Sequence, residues 1–577
     1  MANRKRTPPP ALPVWRHALV VSLLVGAVVV VAGRVVQLAV DERDFLVRQG
    51  SARAVRIEAV PAHRGVIYDR HGEPLAVSTP VVSVSFDARE ELSAQQAAQL
   101  ADALGYARRE LTDTLAAQAG KSFVWLRRRL EPSVADRVLA LSLPGVGLHR
   151  EYRRYYPAGA STAHLVGVTD IDDQGLEGVE LAFDDSLRGE NGSKRVLRDR
   201  RGRNVKDLAT IAPARFGRDL YLSIDQRLQY VAHRELEAAV SSHGARSGSL
   251  VMLRPSSGEV LALVNQPAYN PNAIAREFDR MRNRAVTDTF EPGSTVKPLT
   301  LIAALESDAF DVDSRVDTTP GFITVGKKLI QDPGNRGVLD LGGVLQKSSQ
   351  VGVSKIVLAL PEDSVRDAFA RAGFGRQTGL GLPGEAAGSL PAQRDPLSRV
   401  ALGYGYGFSV TPLQLAQGYA ALANDGAAHP VTVLRHDRAA PPPPTQFEPD
   451  AARAVRQMLA GVVAPEGTAP EGAIAGFRVG GKTGTARKVG KDGYDVDRHV
   501  AWFAGIAPLD APEFVLVVVI DEPKRGLAGG GDVAAPVFAR VAERALRTLG
   551  VAPAITPEPV ETAARGRRSP SITGRDA

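Results

Sequence analysis

The chain has 577 residues, too many for a single hydrophobic core, and this length predicts three or four folded units. Its 71 basic and 64 acidic residues give a net charge of +7 that is spread along the chain, so the charge does not predict a nucleic-acid-binding surface. The absence of cysteine excludes disulfides, thiolate chemistry and cysteine zinc sites.

The N-terminus predicts a membrane anchor. Residues 1–17 carry several arginines and a lysine, and the uncharged apolar run ALVVSLLVGAVVVVAG follows them. This run spans roughly 24 Å as a helix, and its continuation to residue 40 reaches the about 30 Å of a bilayer core if Arg34 extends towards the interface. Because basic residues precede the span, we expect residues 1–17 in the cytoplasm and everything after Asp41 outside. A cleaved signal peptide and a buried core helix are the alternatives, but no small-residue cleavage site precedes Asp41, which favours an uncleaved anchor at 18–40.

The segment 41–220 predicts a mixed α+β module. VPAHRGVIYDRHGEPLAVS and VVSVSFD are typical of short strands separated by a His-Gly turn, and LSAQQAAQLADALG is typical of a helix. The module is rich in arginine and in glycine turns. No combination of its residues indicates a reaction.

The region 221–550 predicts one larger α+β domain. SGSLVMLRPSSGEVLALV has the pattern of a hairpin, HVAWFAGIAP and EFVLVVVID form a second apolar pair, and helical stretches such as EDSVRDAFARAG lie between the two pairs. Strands at both ends of the region, with helices between them, indicate one sheet covered by helices. A helix near its start has one apolar face, formed by Leu228, Val231, Ala232, Leu236 and Ala239.

Two polar stretches predict loop or disorder. RHDRAAPPPPTQFEPD and the tail 551–577 contain too little apolar surface to offset the entropy of ordering them.

Residues 290–298, FEPGSTVKP, place a serine and a lysine one helical turn apart. Ser294 and Lys297 stand at i and i+3, so their side chains would be neighbours on one face of a helix. Burial in an apolar cleft or beside other cations lowers the pKa of a lysine, and the neutral amine can then take the proton of a serine hydroxyl. The preceding Pro292-Gly293 turn would put Ser294 at the helix start. For this stretch alone, a solvated helix start with a serine cap is the alternative.

Two later stretches are weak signals individually. LQKSSQVGVSK places Ser348, Ser349 and Gln350 between apolar runs, and FRVGGKTGTARKV places residues 482–485 in a strand-like segment. A glycine within a strand, here Gly484, often marks the close approach of another backbone, such as that of an extended peptide substrate. A helix cap at Ser348 and a bulge at Gly484 are the structural alternatives.

In their order, at positions 294, 348 and 482, the three elements match the S-x-x-K, S-x-N and K-T-G motifs of penicillin-binding proteins and serine β-lactamases. RGVIYDRHGEPLA, RYYPAGASTAHLVG, GLEGVE, FGRQTGLGLPGEAAG and GYGYGFSVTPLQLA also resemble class B penicillin-binding proteins, so the resemblance extends from the anchor to about residue 550. KSSQVGVSK and KTGTARKV resemble the division-specific members more than the elongation-specific ones. The expected fold class is therefore α+β, with a β-lactamase-like transpeptidase domain whose central antiparallel sheet is covered by helices. The expected organisation is a cytoplasmic tail (1–17), a transmembrane anchor (18–40), a pedestal or dimerisation-like module (41–220), a transpeptidase domain (221–550) and a disordered tail (551–577).

The resemblance implies cross-linking of peptidoglycan stem peptides through a serine acyl-enzyme, with inhibition by β-lactams. It implies that Ser294 is the nucleophile, Lys297 the general base and Ser348 the proton relay. It further implies that the terminal carboxylate of the substrate is bound by Lys482, Thr483 and Thr485, beside Gly484. Backbone N–H groups of Ser294 and Thr485 would form the oxyanion hole. No metal or cofactor is expected.

Two residues depart from the family pattern. Gln350 stands where the family has Asn, which keeps the amide but adds a methylene; the resemblance implies that this amide binds the peptide of the substrate. Asp532, in LAGGGDVAAPVF, stands where a small apolar residue is usual. Two other functions therefore stay open: a carboxypeptidase or β-lactamase-like hydrolase on the same fold, or a weakly active division scaffold, which Gln350 would explain.

The resemblance also implies partners and a location. Division proteins, including a polytopic glycosyltransferase, are expected to bind the N-terminal module, where Arg64, Asp69 and Glu180 resemble family residues with packing or partner roles. The protein is expected in the bacterial inner membrane at the division septum, with its catalytic domain in the periplasm.

Overall fold

The structure is a computed structural model and describes residues 13–45, 54–198, 204–274, 278–437, 442–490 and 493–554. Parts of several predicted segments lie outside these residues: 1–12 of the basic tail, 46–53 and 199–203 of the module 41–220, 275–277 and 491–492 of the region 221–550, 438–441 of the proline-rich stretch and 555–577 of the C-terminal tail.

The chain alternates short strands and helices, as an α+β protein does. The described helices are α1 (Val14–Val40), α2 (Ala94–Leu104), α3 (Arg108–Ala117), α4 (Pro132–Ala140), α5 (Ala163–Val166), α6 (Gly178–Ala182), α7 (Asp184–Leu187), α8 (Gln226–Ser242), α9 (Phe278–Met281), α10 (Arg284–Thr287), α11 (Lys297–Leu305), α12 (Leu341–Gln346), α13 (Gln350–Ala359), α14 (Ser364–Arg371), α15 (Pro396–Gly403), α16 (Pro412–Ala423), α17 (Pro449–Met458), α18 (Gly530–Val533) and α19 (Ala535–Thr548). The described strands are β1 (Val55–Val60), β2 (Ile67–Tyr68), β3 (Pro74–Phe86), β4 (Val124–Leu130), β5 (Val146–Tyr155), β6 (Gly192–Arg198), β7 (Asn204–Ala212), β8 (Leu220–Tyr221), β9 (Ser247–Leu253), β10 (Val260–Gln266), β11 (Arg315–Asp317), β12 (Phe322–Val325), β13 (Lys328–Gln331), β14 (Val338–Asp340), β15 (Gly480–Gly490), β16 (Gly493–Ala507) and β17 (Phe514–Asp521).

Helix α1 contains the predicted anchor and starts four residues before it. It has 27 residues with a mean hydropathy of 2.6, and none of its side chains is buried. Among the described helices, it alone is long and apolar enough to cross a membrane.

One compact unit comprises residues 1–62, 80–152 and 189–216. In it, β1, β6 and β7 form an antiparallel sheet with β6 in the middle. The second half of β3 also pairs antiparallel with β4, and the predicted helix α2 packs with α3 and α4 around a small core that includes Leu100, Leu104 and Leu111.

A larger unit comprises residues 63–79, 153–188 and 217–577 and contains a five-stranded antiparallel sheet in the order β10-β9-β17-β16-β15. The predicted hairpin forms β9 and β10, and the second apolar pair forms β16 and β17. Successive residues of β9 and β17 point to opposite faces of the sheet. Val251 and Val517 pack on the face that α11 and α16 cover. Leu250 and Val518 pack on the face that α8 and α19 cover. Helices therefore cover both faces of the sheet, and β15 forms one edge.

Polar residues join distant segments within this unit. Glu180 accepts hydrogen bonds from two buried arginines, from Arg64 Nε at 2.5 Å and from Arg154 Nε at 2.7 Å. Asp69 accepts hydrogen bonds from the backbone N–H groups of Glu73 at 2.9 Å and Gln226 at 3.2 Å. These contacts hold residues 63–79 and 153–188 in the larger unit.

Candidate active site

Ser294 lies in a 3₁₀ turn, Gly293–Val296, and the α-helix begins only at Lys297. The prediction that Ser294 starts an α-helix is therefore wrong by three residues. The cause is Pro298, which has no N–H to bond the Ser294 carbonyl as an α-helix requires. The N–H of Lys297 bonds that carbonyl instead, which is the 3₁₀ pattern.

The turn is fixed from behind by close backbone contacts. Gly293 N donates to the Gly405 carbonyl at 2.9 Å, and Tyr419 Oη donates to the Thr295 carbonyl at 2.8 Å. Gly405 has a φ of +97°, and a Cβ there would come within 2.0 Å of the Gly293 carbonyl oxygen. Because only glycine fits this contact, the GYGYG segment supports the turn that carries Ser294.

Lys297 is fully buried and bonds the second motif. Its Nζ donates to the carbonyl oxygen of Ser348 at 2.6 Å and to Ser348 Oγ at 3.2 Å. Ser348 adopts a φ of +53°, a left-handed conformation that non-glycine residues rarely occupy. Among the described residues, no hydrogen bond joins Ser294 Oγ to Lys297 Nζ. The serine hydroxyl thus lies one turn from the amine and without a direct hydrogen bond to it.

The residue that caps α13 is Ser349, whose Oγ accepts a hydrogen bond from Gly352 N at 2.8 Å. The alternative that Ser348 is itself a helix cap is therefore wrong. Gln350 is the first residue of α13, and its side chain is partly exposed.

The third motif lies on β15, at the edge of the sheet. Lys482 is fully buried, and its Nζ lies 3.4 Å from Thr483 Oγ1. Thr483 Oγ1 also lies 3.2 Å from Thr468 Oγ1, and Thr485 Oγ1 accepts a hydrogen bond from Gly530 N at 3.0 Å.

Gly484 lies opposite Trp502 of β16, and a Cβ at this glycine would come within 2.2 Å of the Trp502 ring. The glycine therefore permits a close approach of the indole, and the pairing with β16 shows no bulge at this position. A Cβ on Gly293 would lie 3.4 Å from the same indole and 3.9 Å from the Thr485 carbonyl oxygen, so the serine turn and β15 are adjacent.

Burial lowers the pKa of both lysines of the motifs. Burial lowers the pKa of Lys297 to about 7, and the negative charge of Asp332 opposes this effect. Burial, together with the charge of Lys297, lowers the pKa of Lys482 well below its usual range. The two ammonium groups are thus close enough to interact, and a neutral amine is available beside Ser348 near pH 7.

Two known protein families match parts of the chain. Residues 59–222 match the family described as Penicillin-binding Protein dimerisation domain, and residues 248–543 match the family described as Penicillin binding protein transpeptidase domain. The chain is 41% identical over 550 residues to the peptidoglycan D,D-transpeptidase FtsI of Escherichia coli K12, covering 93% of this chain and 92% of that protein. The chain belongs to the class B penicillin-binding proteins.

Other members of this family are similar over comparable lengths. The probable peptidoglycan D,D-transpeptidase PenA of Neisseria gonorrhoeae is 41% identical over 519 residues, which cover 88% of each chain. The transpeptidase domain of penicillin-binding protein 3 from Burkholderia pseudomallei superposes with a TM-score of 0.54 at 40% identity, covering 58% of this chain and 98% of that one. Penicillin-binding protein 3 from Mycobacterium tuberculosis in complex with aztreonam superposes with a TM-score of 0.67 at 27% identity, covering 86% of this chain and 98% of that one.

Asp532, the second departure from the pattern of class B penicillin-binding proteins, acts as a local helix cap. Its Oδ2 accepts a hydrogen bond from Gly529 N at 3.2 Å at the start of α18. Gly530, which follows Gly529, lies against Gly484. A Cβ on Gly530 would come within 2.6 Å of the Gly484 carbonyl oxygen. Asp532 therefore stabilises the glycine-rich turn that supports the K-T-G strand.

Two residues of this site were not predicted from the sequence. Trp502 is fully buried and donates a hydrogen bond of 3.0 Å from Nε1 to Thr295 Oγ1. Its only sequence signal is a tryptophan within an apolar strand. Asp332, in a polar turn far from the motifs, accepts hydrogen bonds from the second motif, and no sequence signal pointed to it.

Proposed function

We propose that the protein is a peptidoglycan D,D-transpeptidase that cross-links stem peptides through an acyl-enzyme on Ser294. The observation that carries this proposal is the environment of Lys297. A fully buried amine bonded to Ser348, one turn from Ser294 and beside a second buried lysine, is suited to accept a proton near pH 7.

In the first step, Ser294 Oγ attacks the carbonyl carbon of the penultimate D-alanine and its proton passes to Lys297 Nζ. The C–N bond of the tetrahedral intermediate then breaks, and the leaving D-alanine amine receives a proton from Lys297 through Ser348 Oγ. The hydrogen bond between Lys297 and Ser348 supports this route, because it already joins the two groups that would exchange the proton. The backbone N–H groups of Ser294 and Thr485 stabilise the oxyanion, which is typically worth about 3 to 4 kcal/mol for each donor.

Substrate binding uses the free edge of β15. An extended stem peptide adds a strand beside residues 482–485, and its terminal carboxylate meets Lys482 together with the hydroxyls of Thr483 and Thr485. Thr485 Oγ1 already accepts from Gly530 N, which leaves its own proton free to donate to the carboxylate. The carboxylate raises the pKa of Lys482 by Coulomb attraction, so Lys482 becomes the cation of the complex and Lys297 stays the base.

In the second step, an amine of a neighbouring stem peptide attacks the acyl-enzyme carbonyl. The amine loses its proton to the same basic group, the C–Oγ bond breaks, and Ser294 regains its hydrogen. The products are a cross-linked peptide and free enzyme.

The cellular role is supported by the similarity to FtsI over 93% of the chain and by α1, the one described helix long and apolar enough to cross a membrane. We place the protein in the inner membrane of a dividing bacterium, with residues 1–17 in the cytoplasm and the catalytic domain in the periplasm at the septum. Residues 41–220 would bind division proteins, including a polytopic glycosyltransferase.

Mass spectrometry after incubation with a β-lactam tests the nucleophile. We expect one covalent adduct on the wild type and on the control Ser122→Ala, and none on Ser294→Ala. An adduct that persists on Ser294→Ala would contradict the proposal.

A second assay separates the candidate activities. Incubation with uncross-linked peptidoglycan should give dimeric stem peptides. Release of D-alanine without dimers would indicate the hydrolase instead, and a wild type that forms neither an adduct nor dimers would indicate the scaffold.

A further inference from the structure

Asp332 is a buried carboxylate at the end of a hairpin that is remote in sequence from all three motifs. It follows β13, which pairs with β12, and its own N–H bonds the Gly321 carbonyl at 2.9 Å. Asp332 is only 7% exposed to solvent. A buried carboxylate needs partners because desolvation of an unpaired charge is costly.

The described hydrogen-bond partners of the Asp332 carboxylate belong to the second motif and the first turn of α13. Ser349 Oγ donates to Oδ2 at 2.5 Å, and Oδ1 accepts from Gln350 N at 2.6 Å and from Val351 N at 3.3 Å. Hydrogen bonds to an ionised acceptor are roughly twice as strong as neutral ones. The carboxylate also lies at the N-terminus of the ten-residue helix α13, where the helix dipole favours a negative charge.

This arrangement fixes the backbone next to Ser348. Ser349 Oγ donates to Asp332 while it accepts from Gly352 N, so the side chain has a single orientation. Ser348 precedes it with a φ of +53°, a conformation that costs of order 1 kcal/mol or more and persists only when its surroundings enforce it. The hydrogen bonds at Ser349 and Gln350 supply that enforcement.

We propose that Asp332 is a positioning residue of the reaction: it holds residues 348–350 so that Ser348 Oγ meets Lys297 Nζ, and its negative charge acts on that amine. This inference rests on the proposed function. It goes further by assigning a role to a residue outside the three motifs.

Two effects act on Lys297, and they oppose each other. Burial disfavours the ammonium form, and the negative charge of Asp332 favours it. Without the negative charge of Asp332, the pKa of Lys297 falls, so the amine becomes neutral at lower pH but is a weaker base.

A helix cap alone would explain the hydrogen bonds, so the test must separate capping from charge. Asp332→Asn removes the charge but keeps a carbonyl oxygen for the N–H groups of Gln350 and Val351. The matched control is Asp340→Asn, because Asp340 also caps a helix, accepting from Gly343 N at 2.6 Å, but lies on the solvent side of α12.

The measurement is the rate of β-lactam acylation between pH 5 and 9, using the full chain in detergent. We expect Asp332→Asn to move the acid inflection down by about 1 pH unit and to slow acylation at its plateau about 10-fold. Asp340→Asn should leave the inflection where it is in the wild type. If Asp332→Asn unfolds, Asp332→Glu serves as the second variant: it keeps the charge and should keep the inflection, while the displaced carboxylate slows the plateau rate.

Asp332→Asn with an unchanged inflection and an unchanged plateau rate would overturn the inference and leave the nucleophile assignment intact. An inflection that moves equally in Asp340→Asn would overturn it as well. Failure of the proposed function is recognised separately, by the absence of a β-lactam adduct on the wild type.

Discussion

Trp502 Nε1 donates a hydrogen bond of 3.0 Å to Thr295 Oγ1, and Thr295 Oγ1 donates in turn to the Pro292 carbonyl at 2.6 Å. The strand next to β15 thereby holds the residue that follows Ser294. Trp502 also packs edge-to-face with Phe290, with ring centroids 4.8 Å apart.

We therefore expect Trp502→Phe to destabilise the protein and to slow acylation. It removes a buried donor and leaves a gap beside the serine turn, at a cost of about 1 to 3 kcal/mol in the free energy of unfolding. Thermal unfolding and the β-lactam acylation rate measure the two effects. Trp125→Phe is the control, since Trp125 is 37% exposed and its replacement should change neither quantity appreciably. Equal behaviour of the two variants would show that Trp502 does not support the serine.

Acylation should depend on pH through Lys297. Its pKa is about 7, so the amine is protonated below that pH and cannot take the Ser294 proton. We expect the acylation rate to rise about tenfold per pH unit below pH 7 and to level off above it. Stopped-flow measurement with a chromogenic cephalosporin follows this dependence. A rate that stays flat from pH 5 to 9 would argue against Lys297 as the base.

The same burial predicts a stability cost that depends on pH. The ordinary pKa of lysine, 10.5, applies to the unfolded chain, and the folded value is about 7. Below pH 7 the amine is charged in both states, so the folded state bears the full cost. Between pH 7 and 10.5 the cost fades as the pH rises, because the unfolded state then binds more protons than the folded one.

Lys297→Met should therefore be more stable than the wild type at low pH. Loss of the hydrogen bonds to Ser348 offsets part of the gain, so we expect roughly 2 to 4 kcal/mol in unfolding free energy at pH 6 and much less at pH 10. Calorimetry at both pH values measures the difference. Lys328→Met, at an exposed position of β13, should show no such pH dependence. A destabilised Lys297→Met at pH 6 would contradict the cost assigned to burial.

Gln350 provides a test of the first departure from the family pattern. Its backbone N–H bonds Asp332 and its side chain is partly exposed at the start of α13, so the amide can reach a substrate. We expect Gln350→Ala to slow β-lactam acylation about 10-fold through loss of one hydrogen bond, and Gln350→Asn to stay within about threefold of the wild type. Acylation kinetics at the plateau pH compare the three proteins. If Gln350→Ala acylates as fast as the wild type, the amide takes no part in binding the inhibitor.

The sheet and its hairpins could be predicted from the sequence because β9, β10, β16 and β17 are apolar runs bounded by turn residues. The contact between Lys297 and Ser348 could also be expected, because the order of the three motifs resembles that of penicillin-binding proteins. The catalytic roles of Ser294, Lys297, Ser348 and Lys482 stay predictions. The 3₁₀ turn was missed because its cause, Pro298, is compatible with an ordinary helix start. Asp332 was missed because its partners are set by the return of a hairpin onto α13, and local sequence patterns contain no information on such long-range contacts.

Among the described strands, β15 pairs with β16 only, and this edge strand carries the exposed Arg487. Cationic residues on an unpaired edge discourage aggregation, because another protein strand must bring its own charges and side chains into register with them. A short peptide that ends in a carboxylate is not repelled by the cationic side chains of this edge. The strand that must stay open for substrate is thus protected from pairing with strands of other proteins.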